Sequence, residues 1–396
     1  MNMILDNSEF RAQTMKELSE FFKEREATAQ WFSDDCKADT VRFSPIFDEP
    51  LCVPAEVSQL RANKAVKFLA SEEAYADSMY SPGNGYEGSS QMMLVAGGLH
   101  PVGNSAIKGV LERAGIKMDG WDKLRDMNPV DLSEVLNKFF KATKGNLTIL
   151  VQDEKVRAVN SGRYAVCPYS TVLNAVQEWI TFEYPDAEFA GGYVNHDYAT
   201  WKIDLGAYVD DVLGNFPVLK SQGFLPAMIV RLSHTGTSSV SFIPCLRIGE
   251  IFFPLCEGID APHIAKGNFD ERMASMESSV KNNLFSVFPK MGEVAKKLDT
   301  MRSMQVANAY NALLRGMKAL QMPKAQGMEA AEVFKSLYGY TATAYDIYVT
   351  LGDVCAYVQR DFPNDHKKNL AVAKSMERAI AIDWVKLGNI PGDFSW

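Results

Sequence analysis

The chain has 396 residues, 47% apolar and 23% charged. That is an ordinary globular composition, large enough to bury a substantial core and to hold more than one domain. A formal net charge of −8 disfavours binding of nucleic acid by the surface as a whole, because contact with phosphate needs Lys and Arg; a local basic face is still allowed. Six cysteines, Cys36, Cys52, Cys167, Cys245, Cys256 and Cys355, lie far apart without a CxxC. They read as reduced core thiols of a cytoplasmic protein and not as a disulfide or zinc scaffold.

The start, MNMILDNSEFRAQT, is too polar for a signal peptide, and no run approaches the roughly 18–20 apolar residues of a membrane span. Residues 9–30 carry Phe10, Met15, Leu18, Phe21 and Phe22 among charges, which predicts an amphipathic helix. Residues 31–54, broken by Pro45, Pro50 and Pro54, read as extended or irregular, and residues 57–76 as helical. The glycine-rich stretch 81–90 is a surface loop: its spacing fits no nucleotide fingerprint and no Gly-Lys-Ser/Thr follows.

From Met92 a short strand ends at Gly97-Gly98. A helix begins at about Asn104 or Ser105 and closes at Ala114-Gly115, and a second follows Asn128-Pro129. The best-defined unit is 145–179. Leu147–Val151 and Val156–Asn160 flank a polar turn at 152–154 and predict a hairpin. A turn at Ser161-Gly162-Arg163-Tyr164 comes next, with Gly162 free to take positive φ. Val172, Leu173, Val176 and Ile180 then mark a helix capped by Ser170 or Thr171.

Two strands joined at 195–197 follow, with Ala199, Trp201, Ile203 and Leu205 on the buried face. Residues 227–232, 240–246 and 251–255 complete six or seven strands, mostly antiparallel because their connections are short. From Asp270 the chain is helical nearly to its end, with breaks at Pro289, Pro323 and Pro363. The expected fold class is α+β: a mostly antiparallel sheet with packed helices and a helical C-terminal region. The expected division is 1–90, helical or irregular; 91–275, the α+β core domain; and 276–396, the helical region.

GLHPVGNSAIKGVLERAGI, a tryptophan, NPVDLSEVLNKFF and VRAVNSGRYAVCPYSTVLNAV occur in that order. Together they resemble the family called "domain of unknown function 932", which comprises phage- and plasmid-like proteins. Arg157, Ser161, Arg163 and Tyr164 stand at its strand and turn positions. PAMIVRLSHTGTSSVSFIPCLRIG, 226–249, resembles its later strand pair: Ser233–Thr237 stand at the turn, Arg247 at the arginine ending the second strand, and Ile248-Gly249 where the family has Asn-Gly. HIAKGNFDERM, 263–273, resembles the short basic segment before a long helix. The resemblance covers roughly residues 90–386 and implies a mobile-element context. It implies no catalytic role.

Catalytic patterns are poor. The five histidines, His100, His196, His234, His263 and His366, show no metal-ligand or His-Cys pattern. His234 beside Ser233 and Thr235 could serve a nucleophile, but an exposed turn histidine is the expectation. Neither Asp34-Asp35 nor Asp210-Asp211 makes a metal cage, because adjacent carboxylates diverge. No GxSxG, P-loop or Rossmann fingerprint is present, and the expectation is a non-enzyme without metal or cofactor.

Two functional expectations follow. The first is a single-stranded nucleic-acid binder or annealing factor in replication or recombination. Its basic group is Lys138, Lys141, Lys144, Lys155, Arg157 and Arg163 around the hairpin, with Tyr164 stacking on bases and Arg231 and Arg247 as further contacts. The second is a phage interaction or assembly protein, a virion component or host-protein binder. It is supported by the acidic balance and the long helical tail. Basic side chains sharing one surface favour the first; scattered ones favour the second.

Expected partners are single-stranded DNA, a phage or host protein, or a second copy of the chain, with no membrane; the place is the host cytoplasm or the virion. The basic segment 281–324 is expected to be a solvated face, and Tyr338, Tyr340, Tyr345, Tyr348 and Tyr357 to serve packing. Arg163 has two readings: an outward phosphate or carboxylate fork, or an internal pair with Glu178 or Asp153.

Overall fold

The computed structural model describes residues 9–45, 91–117, 120–124, 127–195, 197–236, 238–254, 258–363 and 365–396. The expected helix at 57–76, the loop at 81–90, Cys52, Cys256 and His196 lie outside these residues.

The fold is α+β. The strands are β1 Phe10–Ala12, β2 Ala29–Phe32, β3 Arg42–Pro45, β4 Gln91–Val95, β5 Gly98–Pro101, β6 Leu147–Gln152, β7 Lys155–Ser161, β8 Glu188–Val194, β9 Ala199–Asp204, β10 Leu225–Leu232, β11 Val240–Ile248, β12 Ile251–Pro254 and β13 Ile259–Ala261. A seven-stranded antiparallel sheet runs β1-β8-β9-β10-β11-β12, with β13 also on β11. Two three-stranded sheets, β2-β6-β7 and β3-β4-β5, stand apart from it. The predicted hairpin therefore forms, but outside the main sheet.

Period-two alternation decides the faces of the main sheet. Ala199, Trp201 and Ile203 point into the large core, and the register sets Trp201 opposite Val230 and Ile203 opposite Met228. Thr200, Lys202 and Arg231 point to the other side, where Ala227, Ile243 and Cys245 form a small separate cluster. The large core draws on residues 12–22 and 165–384 and takes in helices Tyr169–Glu183, Phe269–Phe285, Val287–Met301 and Ala344–Asp361. The sheet and the C-terminal helices thus bury one another on either side of residue 275. A second core lies within 38–159, where Phe43, Met93, Val110, Phe140, Ile149 and Val156 meet.

Local chemistry starts the helices. Thr14 and Glu17, Asn268 and Glu271, and Thr343 and Asp346 form reciprocal capping boxes. The first of these begins a helix only at Met15, so the helix expected over 9–30 is Met15–Glu26 between β1 and β2. Helix Asn104–Arg113 starts and stops where its residues predict, with Gly115 at φ +72° beyond its end. Helix Tyr169–Glu183 differs. Neither Ser170 nor Thr171 caps it; the Glu26 carboxylate accepts hydrogen bonds from the Ser170 N–H at 2.9 Å and from the Ser170 hydroxyl. Pro289 lies within Val287–Met301, and the break falls at Ser286.

Trp201 is fully buried, 0% exposed. Trp201→Ala is expected to lower stability by roughly 3–5 kcal/mol in chemical denaturation. A melting temperature within about a degree of the parent would contradict its place in the core.

Candidate functional site

The hairpin closes through Asp153 and Glu154, both at positive φ, +51° and +61°, as a two-residue turn between right-twisted strands requires. The outer edge of β7 is covered. Val102 bridges Val156, Gly103 N–H donates to the Val156 carbonyl at 2.9 Å, and the Ser105 hydroxyl donates to the Arg157 carbonyl at 2.7 Å. Helix Asn104–Arg113 lies so close that a side chain at Gly109 would strike the Val159 backbone.

This cover determines where the expected basic face goes. Lys155 and Arg157 are 0% and 1% exposed, and burial pushes their pKa values down to about 8 and about 10, with Asp153 and Asp197 respectively opposing the shift. Tyr164 is 6% exposed, stacks on the His263 ring at 4.9 Å and lies beside Trp31 at 6.0 Å. These three are corrected as surface contacts: a buried cation cannot track a phosphate backbone, and a covered ring cannot stack a base.

Arg231 is buried in a two-point ion pair with Glu377, at 2.8 and 3.1 Å. Arg247 is half-buried, bonded to the Asp204 carboxylate and to the Gly249 carbonyl. Only Lys141, Lys144 and Arg163 of the expected set are exposed without an ion pair among the described residues; Lys138 is exposed but sits 3.9 Å from Glu134. Arg163 pairs with neither proposed carboxylate, and Glu178 instead lies 3.9 Å from Lys281.

The expected turn sequences meet under the hairpin. Gly162 serves close approach and not positive φ: its N–H donates to the Asn146 carbonyl at 2.7 Å, and a Cβ there would lie 2.8 Å from that oxygen. Gly236, at φ +78°, passes so near Asn160 and Tyr164 that a Cβ would lie 2.8 Å and 3.0 Å from them. His234, expected at the surface, is 3% exposed. Its ring stacks on Tyr169 at 3.5 Å, and its Nε2 accepts the Tyr169 N–H at 3.0 Å. That acceptance leaves the ring proton on Nδ1.

Ser233 is turned elsewhere, donating to the Asp197 carbonyl at 2.7 Å, so no nucleophile–base pair forms here. His263 donates from Nδ1 to the Ala165 carbonyl at 2.8 Å. Both histidines are held neutral, with pKa values below the ordinary 6.5. Burial is the main cause, and Arg25 adds to it for His234. The arrangement is a packed knot of buried side chains that fixes the hairpin to the main core.

The other carboxylate and tyrosine candidates resolve similarly. Asp34 pairs with Arg272 at 3.1 Å and Asp210 with Lys220. Within 281–324, Lys281, Lys290 and Arg302 meet acidic neighbours, and Arg315 and Lys318 lie over the Phe394 ring. Tyr345 and Tyr348 are core residues, whereas Tyr338 and Tyr340 are 41% and 51% exposed.

The exposed tyrosines continue a feature that sequence reasoning missed. On helix Lys324–Tyr338, Val333 and Leu337 are 41% and 70% exposed. They border a cleft of about 280 Å³ that also takes in Gln222, Ile248, Asp346 and Asp353. Burial pushes the Asp353 carboxyl up from its ordinary value. The signal was available as an apolar pair at i, i+4 beside two tyrosines, but periodicity alone does not say which apolar stripe stays uncovered.

No protein-family profile, curated protein or solved structure matches this chain. Among the described residues no helix is long and apolar enough to cross a membrane.

The two neutral histidines set a pH dependence. The unfolded chain takes up protons below about 6.5 that the folded knot resists. Their contribution is therefore complete above that value and is lost as pH falls through the window beneath it. The melting temperature is expected to fall between about pH 7 and 5, and to fall less in His263→Asn, which keeps a donor for Ala165. Parallel pH profiles would contradict this.

Proposed function

We propose that this chain acts by holding a partner protein and not by turning over a substrate. It is an interaction or assembly factor of a mobile element, the context implied by its resemblance to the domain of unknown function 932 family. The supporting observation is the uncovered stripe of Val333, Leu337 and Tyr338, with Tyr340 beyond it, beside a cleft that holds Asp346 and Asp353. Single apolar residues at a surface are normal, whereas a contiguous group with charged residues at its edge marks an interaction site. The matching partner presents an aliphatic or aromatic anchor flanked by Lys or Arg, the combination that fills the cleft and faces the two carboxylates.

The nucleic-acid reading has less to stand on. Of its hairpin group, Lys141, Lys144 and Arg163 are the cations both exposed and outside an ion pair among the described residues. Three exposed cations on an acidic protein make a weak phosphate track.

Capture of host proteins on the tagged chain, with and without nuclease, tests the proposal. The expected result is a protein partner that survives nuclease and is lost in Leu337→Glu, a variant that keeps the parent melting temperature because Leu337 is 70% exposed. Single-stranded DNA retained on a filter at low salt, weakened by higher salt and abolished by Arg163→Ala, would replace this reading with the nucleic-acid one.

A further inference from the structure

The second face of the main sheet carries a cleft of about 290 Å³, closed on its far side by helices Ala344–Asp361 and His366–Ala379. Strand alternation brings Thr200, Lys202, Ile229, Arg231 and Ile243 to its floor, and Phe252 of β12 completes it. Ala373 and Met376 line it from the helix side.

The charges of this cleft are unevenly matched. Arg231 is held by Glu377 in the two-point pair at 2.8 and 3.1 Å. Arg11 donates to the Pro363 carbonyl at 3.5 Å. Glu250 is exposed and forms no ion pair with Lys202. Lys202 has no carboxylate in ion-pair contact among the described residues; its ammonium lies 4.2 Å from the centre of the Phe252 ring. Burial lowers its pKa from the ordinary lysine value, against the opposing effects of Cys245 and Glu250. The cleft phenol of Tyr198 is pushed up to about 12 by burial and stays a protonated donor at neutral pH.

A half-buried ammonium that touches a ring face and no carboxylate is costly relative to one in water, and an aliphatic residue would satisfy β9 as well. The same ammonium becomes favourable once an anion enters the cleft, because a charge-assisted contact in a desolvated site is stronger than one in water. The volume is at the small end of ligand pockets, which span about 300–1,000 Å³, and a single free cation matches a single negative charge.

We propose that this cleft binds a small amphiphilic monoanion, its carboxylate on Lys202 and its apolar body against Ile229, Ile243, Phe252 and Met376. The site is independent of the partner-binding stripe.

Calorimetric titration of the full chain with octanoate, and with octanol as its uncharged twin, tests the site. Octanoate is expected to bind, and octanol about tenfold or more weakly. Lys202→Met should lower octanoate affinity by about tenfold or more without lowering the melting temperature, since it removes an uncompensated charge and keeps the stem. Ala373→Phe, which fills the cleft while leaving Lys202 in place, should abolish binding of both and provides the reading if the methionine variant does not fold. Equal affinities for octanoate and octanol would overturn the proposal. So would an unaffected Lys202→Met, or the absence of octanoate binding by the folded parent at millimolar concentration.

Discussion

One guanidinium joins the two cores. Arg272, 3% exposed, donates from Nε to the Tyr164 carbonyl at 3.2 Å and from Nη1 to the Gly267 carbonyl at 2.7 Å. Its Nη2 donates to the Ser33 hydroxyl at 2.6 Å and to the Asp34 carboxylate at 3.1 Å. The segment after β2, the turn after the hairpin and the start of a main-core helix therefore converge on one planar fork. The Phe269 N–H and then this guanidinium hold Asp34 below the ordinary carboxylate range, so the anion is bound from two directions. A lysine could meet only part of this set, because its ammonium lacks the fixed geometry that lets one side chain serve several acceptors. Where Arg163 is the exposed arginine of the motif, Arg272 is the structural one, and it belongs to the segment 263–273 that sequence reading took only as a basic lead-in.

What could be read from the sequence was whatever local periodicity and local chemistry decide. The hairpin, the helix at Asn104, the helix start after Asn128-Pro129 and the inward face of β9 all follow from neighbours a few residues away. Long-range partners escaped. Nothing local to Ser170 predicts that Glu26 caps its helix, or that 102–105 seals the edge of β7. For the same reason charge was misread. Lys155 and Arg157 look solvent-facing in a strand that is assumed to be half exposed, and the segment that encloses them lies some fifty residues upstream, roughly the 52 separating Ser105 from Arg157. The apolar stripe at Val333 and Leu337 failed in the opposite sense, since it looks like core and is left open.

The folding-in of cations alters the charge that partners meet. Arg25, Lys155, Arg157 and Arg272 are all buried, and Arg231 is matched to Glu377 inside the protein. A chain with formal net charge −8 thus shows solvent a more acidic surface than its composition suggests. Such a surface repels polyanions at long range and attracts basic segments, the kind of partner that the carboxylates beside Leu337 would meet.

The order in which the chain is made acquires significance from the same long-range pairing. β1 is an edge strand of the main sheet, yet its partner is β8, and both three-stranded sheets lie between them in sequence. Ser33 and Asp34 wait for Arg272 across separations of 239 and 238 residues. During synthesis the early segments therefore leave the ribosome with their apolar sides and strand edge uncovered, and closure of the fold is a late event dominated by non-local contacts. A chain interrupted before Arg272 would leave the Ser33 hydroxyl and the Asp34 carboxylate without the guanidinium that they meet in the finished fold, so the tie between the two cores is among the later contacts that synthesis can complete.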